Sequence, residues 1–248
     1  MSELEFGARV LTLWDFEDPA GSQARFAEAA DAALDPPVRQ SLLTQVARAQ
    51  GLQQAFDAAD ATLDALGDPE DLADEPAVRV LLERGRVRRS SGDTQAAVPL
   101  FRAAYDRARA AGLVGLAADA AHMLAIAQPE EHQRWADLGL AIAEGSADPL
   151  AIRMRGALLN NLGWAHADHG RWGEALELFE RAVDARRASG DAWALHVARW
   201  TRARALRALD RHPEALAELR ELAATPEGAA DHHVAEEIVE NEKAARSA

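Results

Sequence analysis

The chain has 248 residues, enough for one or two domains with a sizeable core, and its 48% apolar but only 5% aromatic content reads as a soluble, alanine-rich helical protein. Its 41 acidic against 27 basic residues leave a formal charge of −14, which repels phosphate backbones and anionic lipid and argues against nucleic-acid and membrane partners. There is no cysteine, so disulfides, thiolate metal sites and thiol catalysis are excluded.

The chain opens with MSELEFGARVLTLWDF, which places acids ahead of its apolar run and has no basic start or small-residue cleavage site. It does not read as a signal peptide, and no apolar run reaches the length of a membrane span, so a cytoplasmic location is expected. A helix follows, begun by Asp18-Pro19 and stopped by Pro36-Pro37, and residues 1–39 form an N-terminal apolar segment and capping helix.

From there the chain repeats. QAFDAADATL (54–63), GDTQAAVPLF (92–101), EHQRWADLGL (131–140), GRWGEALELF (170–179) and DRHPEALAEL (210–219) are five versions of one helix start. Units counted from Gln40, Val78, Ala117, Gly156 and His196 are spaced by 38, 39, 39 and 40 residues. The eighth place holds Ala47, Gly85, Leu124, Gly163 and Ala203, and the twentieth holds Ala59, Ala97, Ala136, Ala175 and Ala215. The twenty-fourth place is bulky throughout, as Leu63, Phe101, Leu140, Phe179 and Leu219. Two antiparallel helices approach closely only where the side chains at their crossing are small, and the bulky residue one turn on is expected to fill the gap against the next hairpin. Gly67, Gly112, Gly145 and Gly190 fall where a helix ends in a left-handed residue, and Asp148-Pro149 and Asp191 cap the helices that follow. Residues 229–248, with AADHHVAEEIVENEKAAR, form a polar C-terminal capping helix.

This small–bulky–small spacing, above all in LNNLGWAHADHGRWGEALELFERAV (159–183), resembles the tetratricopeptide repeat over about residues 40–229. The period exceeds that family's usual length of about 34, which at roughly 1.5 Å per residue implies helices longer by about a turn. Leu124 departs from the small residue expected at its place. The whole chain, including LWDFEDPAGSQARF, resembles a bacterial group of long-helix tetratricopeptide proteins. The resemblance implies an all-α, right-handed superhelical solenoid of stacked antiparallel hairpins, one continuous domain with five repeats over residues 40–228 between its two caps.

The resemblance also implies that the second, fifth, ninth and twelfth places of each unit line a concave groove. Those twenty places carry six arginines and no acid, against an acidic background. The candidate ligand-binding residues are Arg48, Arg79, Arg86, Arg89, Asn160, Trp164, Trp200, Arg204 and Arg207. Arginine offers a planar fork for carboxylates, Asn160 can bond a peptide backbone and the tryptophans can hold an apolar side chain. The expectation is a non-catalytic scaffold for a protein or peptide ligand, with a preference for acidic or carboxylate-bearing ones. The family's carboxylate clamp pairs lysines with asparagines, and only Asn160 matches it. A competing reading pairs these arginines with acids such as Glu83 and Asp168, or fills the groove with the N-terminal segment. Trp135, Trp172 and Trp193 are expected to pack between hairpins.

Two other function classes fit parts of the sequence. One is a homo-oligomerising regulatory or sensor module paired through LEFGARVLTLWDF. The other is a metal-dependent hydrolase using His166, Asp168 and His169, or the run Asp231, His232, His233, Glu236, Glu237. Neither histidine group completes a ligand set of the HExxH kind, no GxSxG or GxGxxG occurs, and the single lysine, Lys243, follows Glu242 rather than the glycine of a phosphate loop. No catalytic residue, metal or cofactor is therefore expected.

Overall fold

The computed structural model describes residues 3–247 and divides into two compact units, Met1–Ala151 and Ile152–Ala248. Met1, Ser2 and Ala248, at the outer ends of the two expected caps, lie outside the described residues. Among the described residues every regular element is helical.

In the first unit α1 (Glu3–Leu13) and α2 (Pro19–Asp31) lead into three hairpins. These are α3 (Pro36–Leu52) with α4 (Phe56–Asp64), α5 (Asp74–Ser90) with α6 (Thr94–Ala111), and α7 (Val114–Ala127) with α8 (His132–Ala143). In the second, α9 (Pro149–Ala167), whose first residues belong to the preceding unit, pairs with α10 (Trp172–Ser189), and α11 (Ala192–Ala208) with α12 (His212–Ala223). The short α13 (Pro226–Ala230) and then α14 (His232–Ser247) close the chain.

Local chemistry sets the ends of these helices. The Asp18, Asp93 and Asp191 carboxylates accept bonds from the amides of Gly21, Ala96 and Ala194, relieving first-turn donors that have no partner within the helix. Pro36-Pro37 does more than stop α2, since both prolines sit in the first turn of α3, where no amide donor is needed. Between hairpins the chain turns through left-handed Gly67, Gly112, Gly145 and Gly190. Within hairpins a second left-handed residue recurs at the fifteenth place of the repeat, as Gln54, Gly92, Gly170 and Asp210. There the next amide reaches back five residues, from Ala55 to Gln50, Asp93 to Arg88, Arg171 to His166 and Arg211 to Leu206, at 2.9–3.0 Å. The third hairpin replaces this turn with a 3-10 turn at Pro129–Glu131.

Two side-chain pairings close the hairpins. A Cβ built on Gly85 would lie 2.4 Å from the Phe101 ring, and one on Gly163 would lie 2.5 Å from Phe179. The bulky twenty-fourth residue thus seats on the eighth place of its own hairpin, not only against the next hairpin as the sequence reading supposed. Where the eighth residue is alanine the partner is leucine: Ala47 clusters with Leu63, and Ala203 with Leu219, all fully buried. In the third hairpin Leu124 itself takes the core position beside Trp135, and Leu140 is left half-buried. In the other four hairpins the combined volume of the pair is held while its distribution varies, as close packing requires.

Gly163→Ala is expected to destabilise the second unit. Overpacking against Phe179 costs about 1–3 kcal/mol, more than the roughly 0.5–1 kcal/mol that alanine gains over glycine in a helix. Adding Phe179→Leu recreates the alanine–leucine pair and should restore most of the loss, as read by chemical denaturation followed by circular dichroism.

Candidate functional site

The arginines of the first unit belong to a buried charge network. Arg86, on α5, donates to both carboxylate oxygens of Asp119, on α7, at 2.6 Å, and also to Glu83 Oε1 one turn earlier. Arg48, on α3, stands 3.8 Å from the same Glu83 oxygen. Glu83 is only 2% exposed, and its other oxygen, Oε2, has no hydrogen-bond partner. Burial pushes the Asp119 carboxyl up, but the charges of Arg86 and Arg48 and the Arg86 hydrogen bonds outweigh it and hold the group below the usual carboxylate range. Arg79 is buried and donates to Glu75 Oε1 at 3.0 and 2.9 Å. Arg89, in the last turn of α5, is exposed.

The N-terminal segment covers part of this face. Phe6 and Val10 of α1 are buried against Phe26, Ala30 and Leu42, so α1 packs on its own chain. The Phe6 ring also lies 5.3 Å from the Arg79 guanidinium. Beyond α1, the Trp14 and Phe16 rings stack at 4.9 Å, and the Arg48 guanidinium sits 5.6 and 5.8 Å from their centroids. Trp14 Nε1 donates to Gln45. The segment therefore both caps the first hairpin and occupies arginine positions counted as groove.

In the second unit Trp164 of α9 and Trp200 of α11 are half-buried, and the Arg204 guanidinium lies 5.4 Å from one ring and 5.3 Å from the other. Trp164 packs edge-on against Phe179 and Trp172. Asn160, one turn before Trp164, has a buried Oδ1 with no hydrogen-bond partner. Arg207 donates to Glu237 of α14, which also stands 3.9 Å from Arg204 and is 6% exposed. The Arg204 side chain nevertheless keeps 37% of its surface exposed.

The structure thus brings Arg48 and Arg86 together around Glu83 in one unit, and Asn160, Trp164, Trp200, Arg204 and Arg207 onto neighbouring first helices in the other. Of the two acids suggested as arginine partners, Glu83 takes that role and Asp168 is exposed. Sequence reasoning missed Asp119, and it named Glu237 only in the histidine run and not as an arginine partner. The first had a signal, because it is the one acid in the apolar helix VGLAADAAHMLAIA. For Glu237 the signal was the stripe Val234, Glu237, Asn241, all buried, which makes α14 a packed helix rather than a solvated one.

The histidines of both candidate groups make local contacts. His166 Nδ1 accepts from Arg171 across the hairpin turn, and His169 Nδ1 lies 2.7 Å from the Ala165 carbonyl oxygen. Asp231, His232 and His233 offer ligand atoms within 4.8 Å of one another, but the Asp231 carboxylate already bonds His196 at 2.9 Å and caps the His233 amide. Trp135 is buried in the core of the first unit, whereas Trp193 is exposed and stacks on His196. No described helix is long and apolar enough to cross a membrane.

Antiparallel hairpins, four of the five closed by a small residue at the eighth place and a bulky one at the twenty-fourth, define a tetratricopeptide fold, and residues 156–190 match the family described as "Tetratricopeptide repeat". No curated protein matches the chain. Among solved structures it is similar to BtubC (BKLC) from P. vanneervenii, at 15% identity and TM-score 0.57 over 84% of this chain and 90% of that one. It is similar to a Rap protein complexed with Competence and Sporulation Factor, at 13% identity and TM-score 0.62 over 98% of this chain and 75% of that one. A third is the Signal Transduction ATPase with Numerous Domains protein with a tetratricopeptide repeat sensor from Pyrococcus horikoshii, at 12% identity and TM-score 0.65. That match covers 94% of this chain but only 35% of the other, much longer one.

Two measurements check the charge network. Arg86→Ala leaves Glu83 and Asp119 buried without their main partner and is expected to destabilise the first unit by about 3–5 kcal/mol in urea denaturation. Because the folded Asp119 value lies below the unfolded one, its stabilisation is complete above the unfolded carboxylate range and is lost as pH falls through the folded value. A pH series on Asp119→Asn should lack that part of the acid destabilisation.

Proposed function

We propose that the protein is a non-catalytic scaffold that binds a segment of a peptide or protein on the first helices of its second unit, working in the cytoplasm. The observation that carries this reading is the half-buried Trp164–Arg204–Trp200 group beside an unpartnered Asn160 oxygen. Indole faces flanking a cation make an amphipathic seat that contributes apolar area with little side-chain entropy to lose. The Asn160 oxygen supplies an acceptor for a ligand backbone amide.

A preference for carboxylate-bearing ligands rests on Arg204. Its guanidinium keeps surface exposed and its carboxylate neighbour at 3.9 Å is too far for a close hydrogen bond, so it retains donor capacity. Arg79 and Arg86 contribute less to ligand capture than their places in the repeat imply, since both are spent on internal acids. The non-catalytic part of the reading is supported by the engagement of His166 and His169 in turn bonds. Capture of a peptide or protein ligand is in keeping with the Rap protein, which is similar in fold and whose structure is complexed with Competence and Sporulation Factor.

Selection of a displayed peptide library on the immobilised full chain tests the proposal. Enriched peptides should carry an acidic residue near an apolar one, and Trp164→Ala and Arg204→Ala should each weaken them on the order of tenfold, as expected for interface anchors. Failure to enrich any sequence, or enrichment indifferent to both substitutions, overturns the reading.

A further inference from the structure

A cavity of about 190 Å³ opens in the first unit beside the buried charge network, between the last turns of α3 and α5 and Met123 of α7. It is smaller than the roughly 300–1,000 Å³ of sites for drug-sized ligands, so its occupant is a single small molecule or one residue. Leu52, Val87 and Met123 form an apolar wall. Arg48, Arg86 and Arg89 line it as well, the last exposed at its mouth.

Glu83 sets the chemistry. It lines the cavity with 2% of its surface exposed, its Oε1 facing Arg86 and Arg48, while Oε2 is buried with no hydrogen-bond partner. A buried carboxylate oxygen without a donor is costly to the fold, and a ligand N–H that reaches it recovers that cost. Both α3 and α5 end at this cavity, at Leu52 and Ser90, so the negative ends of two helix dipoles also favour a cationic group inside. The guanidinium of Arg89 at the mouth, with that of Arg48, favours the opposite charge there.

We propose that this cavity binds the zwitterion of an aliphatic α-amino acid. The ammonium donates to Glu83 Oε2, the carboxylate faces Arg89 and Arg48, and the side chain lies against Leu52, Val87 and Met123. Only a ligand with both charges a bond or two apart satisfies an internal acceptor and a cationic rim within so small a volume. This site lies in the other unit from the peptide seat and stands independently of it.

Titration calorimetry on the full chain provides the test, with L-leucine, isocaproate, which lacks the ammonium, and isoamylamine, which lacks the carboxylate. L-Leucine should bind, with each analogue weaker on the order of tenfold, the usual loss for one charge-assisted hydrogen bond. Glu83→Gln should abolish the preference for L-leucine over isocaproate. Arg89→Ala, an exposed substitution that leaves the buried network intact, should weaken L-leucine and isocaproate but not isoamylamine, and stands if Glu83→Gln does not fold. Trp164→Ala should leave L-leucine binding unchanged, which separates this site from the peptide seat. No heat with L-leucine at millimolar concentration, equal binding of isocaproate to the unaltered chain, or indifference to Arg89→Ala overturns the proposal.

Discussion

Four of the five hairpins depend on one contact, the fit of the residue at the eighth place of the first helix against the residue at the twenty-fourth place. Where Phe101 or Phe179 fills the crossing, the partner is a glycine whose missing Cβ is the space that the ring occupies. Where Leu63 or Leu219 fills it the partner is alanine, and the third hairpin departs by placing Leu124 in the core beside Trp135. Helices that cross this closely exclude water and bury the whole alanine column at the twentieth place, from Ala59 to Ala215. The faces that carry polar chemistry are positioned by that crossing, because the rotation of each first helix is set by which residue must point at its partner.

Burial of the small-residue seam has a consequence for charge. First helices that lie close together bring their remaining long side chains within reach of one another, and an arginine there meets an acid from the next helix more readily than it meets solvent. Arg86 spans from α5 to Asp119 on α7 in this way, and Arg207 reaches Glu237 on α14. Such pairs break even at best against apolar packing, so they act chiefly to fix how one helix seats on the next. The residues whose pairing is incomplete are Arg204 between its two indoles, Asn160 with an idle oxygen, and Glu83 with one oxygen engaged and one not.

The two ends of the chain show how caps alter a repeat array. A terminal hairpin exposes a stacking face, and α1–α2 and α14 cover theirs with Phe6, Val10 and Phe26 on one side and Val234 on the other. Each cap also projects onto the arginine-bearing face of its own unit, through Trp14 and Phe16 over Arg48 and through Glu237 beneath Arg204 and Arg207. Capping and occupancy of the polar face are therefore done by the same segments.

The amino-acid sequence by itself determined the helical class, the hairpin period and the buried seam. These follow from spacing along one helix and recur five times, so local periodicity carries them. It also marked the left-handed glycines between hairpins, since a positive φ leaves its trace in residue type. It was blind at Gln54 and Asp210, which take the same conformation without being glycine because the reach-back bond of the turn holds them there. Only the tertiary structure decided which arginines are spent. Arg86 and Asp119 are 33 residues apart and Arg207 and Glu237 are 30 apart, and no local pattern announces that a side chain on one helix will meet a carboxylate two or three helices on. A count of unopposed charges along the first helices reads six arginines as a ligand groove. The stacked helices convert most of them into internal ion pairs, because desolvating a guanidinium is tolerated only where a carboxylate comes with it.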